Sequence, residues 1–252
     1  KGISETLNRR LDENGQIKLD GISLTKEDLD NFSRIYIVAC GTAYHAGLVG
    51  KAVIEKFAKI PVEVDVASEF RYRDPLVDDK TLFIAISQSG ETADTLAALR
   101  EAKRRGARTL GIVNVVGSAI AKASDQTIYT WAGPEIAVAT TKAFSTQLAV
   151  IYLLAIHMAR ELGTVSEERL AALTAALEQL PGQVESVLSK ENQETLQYCA
   201  SRFYGHHDAF YIGRNMDSAV CLEGSLKLKE VAYLHSEAYP AGELKHGTIS
   251  LI

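Results

Sequence analysis

The chain has 252 residues, 46% of them hydrophobic and 23% charged, which is enough to bury a substantial core as one large domain or two modest ones. Its net charge of −5 provides no basic field to recruit nucleic acid, and Lys103-Arg104-Arg105 reads as the solvated end of a helix. Cys40, Cys199 and Cys221 are widely spaced without a CxxC pair, which argues against a disulfide scaffold or structural zinc and fits a reducing, cytoplasmic compartment. The polar start, Lys1 to Glu5, lacks a signal-peptide core, and the apolar run Leu148 to Ile156 is too short to span a bilayer, so no membrane role is expected.

After a lead-in over residues 1–33, short β-branched runs alternate with longer helical patterns. Ile35 to Val38, Val62 to Val66, Thr81 to Ile86, Thr109 to Val113 and Thr127 to Thr130 read as strands. Helices are predicted over Ala43 to Ala58, Thr92 to Arg105, Ser118 to Ala123 and Thr141 to Glu161. That alternation predicts an α/β unit over 34–163, a parallel sheet covered by helices on both faces. In Ser166 to Ser189, Leu170, Leu173, Leu177 and Leu180 recur at helical spacing, which predicts an amphipathic helix ending at Pro181. With Glu191 to Ser201 it forms a helical connector over 164–207. Phe210 to Arg214 then repeats the pattern of Ile35 to Ala39, and Ser236-Glu237-Ala238-Tyr239 is matched to Ser68-Glu69-Phe70, so an internal duplication is expected. The second copy, over 208–252, stops before any partner of the third strand, which reads as a fragment whose uncovered sheet edge another element must cover.

Parallel sheets bind ligands beyond the carboxyl ends of their strands, where Cys40-Gly41-Thr42-Ala43 and Ser87-Gln88-Ser89-Gly90-Glu91-Thr92 both fall. The second turn sets hydroxyls, an amide and a glycine at a helix N-terminus, where free N–H groups and the helix dipole favour a phosphate or another anion. Ser89 or Thr92 acting simply as a helix cap is the alternative. Gly41, Gly47 and Gly50 lack the spacing of a dinucleotide site, so no nicotinamide cofactor is expected. Ala132 to Lys142 is a loop of small residues that allows close approach to a ligand, with Thr140 and Thr141 as hydroxyl donors or caps. Further on, Glu223, Lys227 and Glu230 share one helix face, either as a surface ion-pair stripe or as an acid–base set. His246 lies in a glycine-bounded loop, either as an acid–base candidate or as a structural or solvated histidine. His45, His206 and His207 form no zinc-like constellation, and no metal is assigned.

Taken in order, Cys40-Gly41-Thr42, Ser68 to Tyr72, Ser87 to Thr92, Glu135 to Phe144, Leu222 to Glu230 and Gly242 to Gly247 resemble the isomerase part of the glutamine:fructose-6-phosphate aminotransferase (glucosamine-6-phosphate synthase) family. The resemblance runs from about Ile35 to the end. It implies a three-layer SIS (sugar isomerase) fold with a five-stranded parallel sheet, followed by a truncated second copy. It also implies conversion of fructose 6-phosphate and glutamine-derived ammonia to glucosamine 6-phosphate, at the head of the hexosamine pathway and without a cofactor. By motif match, Ser87, Gln88, Ser89 and Thr92 would hold the sugar phosphate, with Thr42, Val138 and Thr140 around the sugar. Glu230 would move a proton between C1 and C2 with help from Lys227, and His246 of a neighbouring subunit would help open the ring, which implies a homodimer.

The chain departs from the family pattern at Ala43 and Thr140, where serine is common; alanine offers no hydroxyl at the first position and threonine keeps the hydroxyl but adds a methyl at the second. The family's glutaminase domain and its C-terminal tail with a Schiff-base lysine are not in the sequence, so the chain alone is expected neither to hydrolyse glutamine nor to complete aminotransfer. Two further readings stay open: another SIS enzyme such as a fructosamine-phosphate deglycase, and a non-catalytic sugar-phosphate sensor.

Overall fold

The computed structural model describes residues 1–8, 10–12, 16–19 and 21–252. Two helices that the sequence pattern does not announce, α1 (Gly2–Asn8) and α2 (Lys26–Asn31), lie in the lead-in. Both are too short for a helical period to show. The second is set by a capping box, in which Thr25 Oγ1 accepts the Asp28 N–H and the Asp28 carboxylate accepts the Thr25 N–H. The lead-in is tied to the body: the Thr6 hydroxyl donates to the Thr130 carbonyl, and Arg108 Nη1 meets Asp28 at 2.5 Å.

Next come β1 (Arg34–Ala39), α3 (Thr42–Phe57), β2 (Val62–Val66), α4 (Ala67–Phe70), β3 (Thr81–Ser87), α5 (Ala93–Arg104), β4 (Arg108–Val113), α6 (Ala119–Ala123), β5 (Gln126–Tyr129) and α7 (Lys142–Leu162). The five strands pair in parallel in the order β2-β1-β3-β4-β5. Successive strand side chains point to opposite faces, so Ile35, Ile37, Leu82, Ile84 and Ile86 join one core, which includes the inner faces of α3 and α7. Tyr36, Val38, Phe83 and Ala85 join a second core with Ala98 and Leu99 of α5 and Ile120 of α6. The result is the expected three-layer α/β arrangement, with β3 buried along its whole length. Helix α7 is long and apolar enough to cross a membrane by length and composition, yet 67% of its most apolar window is buried inside this core. The Lys103-Arg104-Arg105 end of α5 is laced to Glu101, Asp125 and Asp74 by ion pairs.

Helix α8 (Glu167–Val187) starts at Ser166, which accepts the Arg169 N–H. It does not end at Pro181 but runs six residues further, to Val187. Proline removes a single donor and leaves the other hydrogen bonds of the helix in place, and good helix formers flank it. Helix α9 (Lys190–Phe203) follows, capped by Ser189 through the Asn192 N–H.

The chain then forms β6 (Asp208–Gly213), α10 (Met216–Ala232) and β7 (His235–Pro240), with β6 and β7 paired in parallel as a second, two-stranded sheet. A short 3-10 helix, Thr248–Leu251, ends the described chain. The unit repeats β1-α3-β2. Gly41 and Asn215 precede their helices with φ, ψ of 55°, −130° and 55°, −124°. At the same offset, Gly50 faces Ile37 as Gly224 faces Tyr211. That offset corrects one expected match: Ser68-Glu69-Phe70 corresponds to Gly242-Glu243-Leu244, because Ser236 to Tyr239 lie inside β7 itself. Strand register sets the equivalence, and local likeness of residues does not.

Candidate active site

Ser87, the last residue of β3, is 3% exposed. Its Oγ accepts the Gly90 N–H at 3.0 Å and pairs with Thr92 Oγ1 at 2.9 Å, which folds the turn back on itself. Gly90 has φ +67°, and a Cβ there would stand 2.0 Å from Ser118 Oγ, so both backbone conformation and space demand glycine. Ser89 Oγ accepts the Glu91 N–H at 3.2 Å, while the Glu91 carboxylate turns aside to accept the Ala119 N–H at 2.9 Å. The one carboxylate of the turn is thereby engaged at the start of α6. Thr92 is the N-cap of α5 but makes no side-chain cap bond, and simple capping is not the role the structure gives it. What remains is a helix N-terminus with hydroxyls beside it, an arrangement suited to an anion.

Around this turn lies a cleft of about 320 Å³. The first strand–helix turn lines it with Cys40, Gly41, Thr42 and Ala43, the second with Ser87, Gln88, Ser89 and Thr92, the segment leading into α7 with Thr140, and α7 itself with Gln147. Helix α10 adds Leu226 and Glu230. Seven residues singled out from the sequence therefore meet at one place: Thr42, Ser87, Gln88, Ser89, Thr92, Thr140 and Glu230. Lys227 stands next to them, ion-paired with Glu230 and, at 3.5 Å, with Glu223. Val138, 92% exposed, and His246, exposed in the turn after β7 with its N–H on the Glu243 carbonyl at 2.9 Å, are not among the residues lining the cleft. A second groove, between α3, α7 and α8, is lined mainly by apolar side chains such as Phe57, Tyr152 and Leu177 and brings no acid–base pair together.

The face shared by Glu223, Lys227 and Glu230 is not a solvated stripe. Glu223 is 5% exposed and accepts from Thr42 Oγ1 at 3.0 Å, with His45 Nδ1 at 2.7 Å from its other oxygen. These partners sit on the first turn of α3, whose dipole also favours a negative charge. A buried carboxylate is tolerated only with such partners, so Glu223 acts as the peg by which α10 docks on α3 and as the fixed point that holds Lys227. Sequence spacing shows Glu223 beside Lys227, but nothing in it pairs Glu223 with Thr42 and His45. Gln147 also escapes a reading of the sequence; its only signal is an amide inside a helical row of apolar residues.

A family model for the SIS domain matches residues 28–157 and 202–252. The chain belongs to the SIS-domain family. It is 58% identical over 250 residues to the glutamine–fructose-6-phosphate aminotransferase [isomerizing] of Caldanaerobacter subterraneus subsp. tengcongensis, covering 99% of this SIS chain and 41% of that relative. The protein of the same name from Clostridium acetobutylicum is 58% identical over 252 residues, with 100% and 41% coverage. Among solved structures, the C-terminal domain of glucosamine-fructose-6-phosphate aminotransferase from Francisella tularensis superimposes with a TM-score of 0.94 at 40% identity, over 100% of this chain and 70% of that one. The SIS chain thus spans about 41% of the length of the curated relatives it matches.

Proposed function

We propose that this SIS chain is the sugar-phosphate isomerase portion of a glucosamine-6-phosphate synthase, acting on fructose 6-phosphate with ammonia delivered by a glutaminase domain of the larger protein. The observation that carries this reading is the cleft itself, where the anion-suited start of α5 lies across from Glu230, with Lys227 beside it. The names of the relatives support the same chemistry.

In this reading Ser87, Gln88, Ser89, Thr92 and the first N–H groups of α5 hold the phosphate and so fix where the carbon chain lies. Thr42 and Thr140 flank the sugar. The Glu230 carboxylate removes a proton from C1 of the ketose imine and returns it at C2, while the Lys227 ammonium, held by Glu223, offsets charge that builds on the substrate. The step is a proton shift between adjacent carbons and consumes no oxidant or reductant. His246, which does not line the cleft of its own chain, reaches the site of a second copy, so the working unit is a homodimer in the cytoplasm, and Val138 closes over the sugar from its exposed loop.

Calorimetric titration of the chain with fructose 6-phosphate, glucosamine 6-phosphate and unphosphorylated fructose tests the phosphate grip; binding of the first two alone is expected, and equal binding of fructose would sink it. In the longer enzyme, Glu230→Gln should lower turnover by about 10²- to 10⁴-fold with substrate affinity nearly unchanged. Undiminished turnover in that variant would remove Glu230 from the chemistry.

A further inference from the structure

Helix α7 buries Ala143, Thr146, Gln147 and Val150 along one inward row. Two of these are polar, and they are treated differently. Thr146 Oγ1 donates to the Ala143 carbonyl at 3.0 Å and is satisfied within its own helix. Gln147 is 1% exposed, yet its buried Oε1 accepts no hydrogen bond among the described residues. An unpaired buried amide oxygen costs about 1–3 kcal/mol, a cost that methionine or leucine at the same place would not carry. Such a group is retained where a partner arrives from outside the chain.

Gln147 lines the same cleft as Ser87, Thr92 and Glu230. The unpaired atom is an acceptor, so its partner must be a donor. The phosphate ester of a sugar, as its dianion, offers only acceptor oxygens and belongs at the N–H groups of α5. The hydroxyl-bearing carbon chain of a sugar phosphate supplies such donors.

We propose that Gln147 is a substrate-binding residue whose amide oxygen accepts a hydrogen bond from a hydroxyl of the sugar phosphate. This rests on the sugar-phosphate reading of the cleft and adds to it a contact that distinguishes a polyol phosphate from phosphate alone.

The test is calorimetric titration of the wild-type chain and its Gln147→Met variant with fructose 6-phosphate and with inorganic phosphate, alongside thermal unfolding. The expected result is a dissociation constant for fructose 6-phosphate raised about 5- to 10-fold, with that for inorganic phosphate unchanged and the unfolding midpoint equal to or above wild type. Gln147→Leu provides a second apolar side chain of different shape and should behave alike. If both variants unfold or melt lower, the amide is structural and the proposal is overturned. If they fold and bind fructose 6-phosphate as wild type does, the Gln147 assignment alone falls. If the wild-type chain binds neither ligand, the sugar-phosphate reading falls and this inference with it.

Discussion

The units β1-α3-β2 and β6-α10-β7 are built to one plan and used for different ends. Each is a parallel pair joined by a helix, begun through a residue at φ 55° and packed closely through a glycine. In the first, five of six β1 residues are buried, because β1 pairs with β2 on one edge and β3 on the other. In the second, no β6 residue is fully buried, and among the described residues its strand partner is β7. The first unit is thus one end of a finished sheet, in which the next strand, β3, delivers the anion turn. The second offers one helix face, and that face carries Glu223, Lys227 and Glu230. A repeated scaffold acquires different chemistry according to which of its surfaces meets another.

The strongest way to break this relationship is at the joint. Glu223→Ala would leave Thr42, His45 and Lys227 without their common acceptor, and a loss of about 3 kcal/mol in urea unfolding is expected, at the low end for a buried pair because Lys227 keeps Glu230. A loss below about 0.5 kcal/mol would show that α10 docks without its peg. A smaller and more symmetrical test uses the residues that precede α3 and α10, where the same backbone conformation is occupied by glycine in one unit and asparagine in the other. Gly41→Asn should cost about 1–2 kcal/mol and Asn215→Gly should recover about 1 kcal/mol, since only glycine holds that conformation without strain. Opposite signs would mean that the two helix starts are not equivalent.

The smallest effect concerns a half-buried carboxylate near the surface, the counterpart to buried Glu223. Hydrogen bonds from Arg104 first and then Arg105 hold the Glu101 carboxyl down at about 2. Because the folded value is depressed, its contribution is present above the ordinary value of about 4.5 and is lost as pH falls toward 2. Glu101→Gln should therefore lower stability at pH 7 by a few tenths of a kcal/mol, solvent screening keeping it small, and the difference from wild type should vanish near pH 2. A difference that persisted at pH 2 would rule out the ion pairs as its cause.

Some of this molecule could be read directly from the order of its residues. Runs such as Thr81 to Ile86 alternating with longer helical patterns determined a parallel sheet covered on both faces, because a strand buried on both sides must be apolar throughout. Ser87 to Thr92 announced an anion turn because hydroxyls, glycine and a helix start are adjacent in the chain. Local patterns could not show that Pro181 would sit inside α8, since one missing donor is outweighed or not by how the rest of the helix packs. Nor could they show that Glu223 meets Thr42 and His45, that Glu230 faces a turn in the first half of the chain, or that the Gln147 amide is left unpaired at the cleft wall. Hydrophobic period and turn chemistry act over a few residues and are written in sequence. Burial of a charge or an amide, and the partners that make it tolerable, exist only once distant segments have packed.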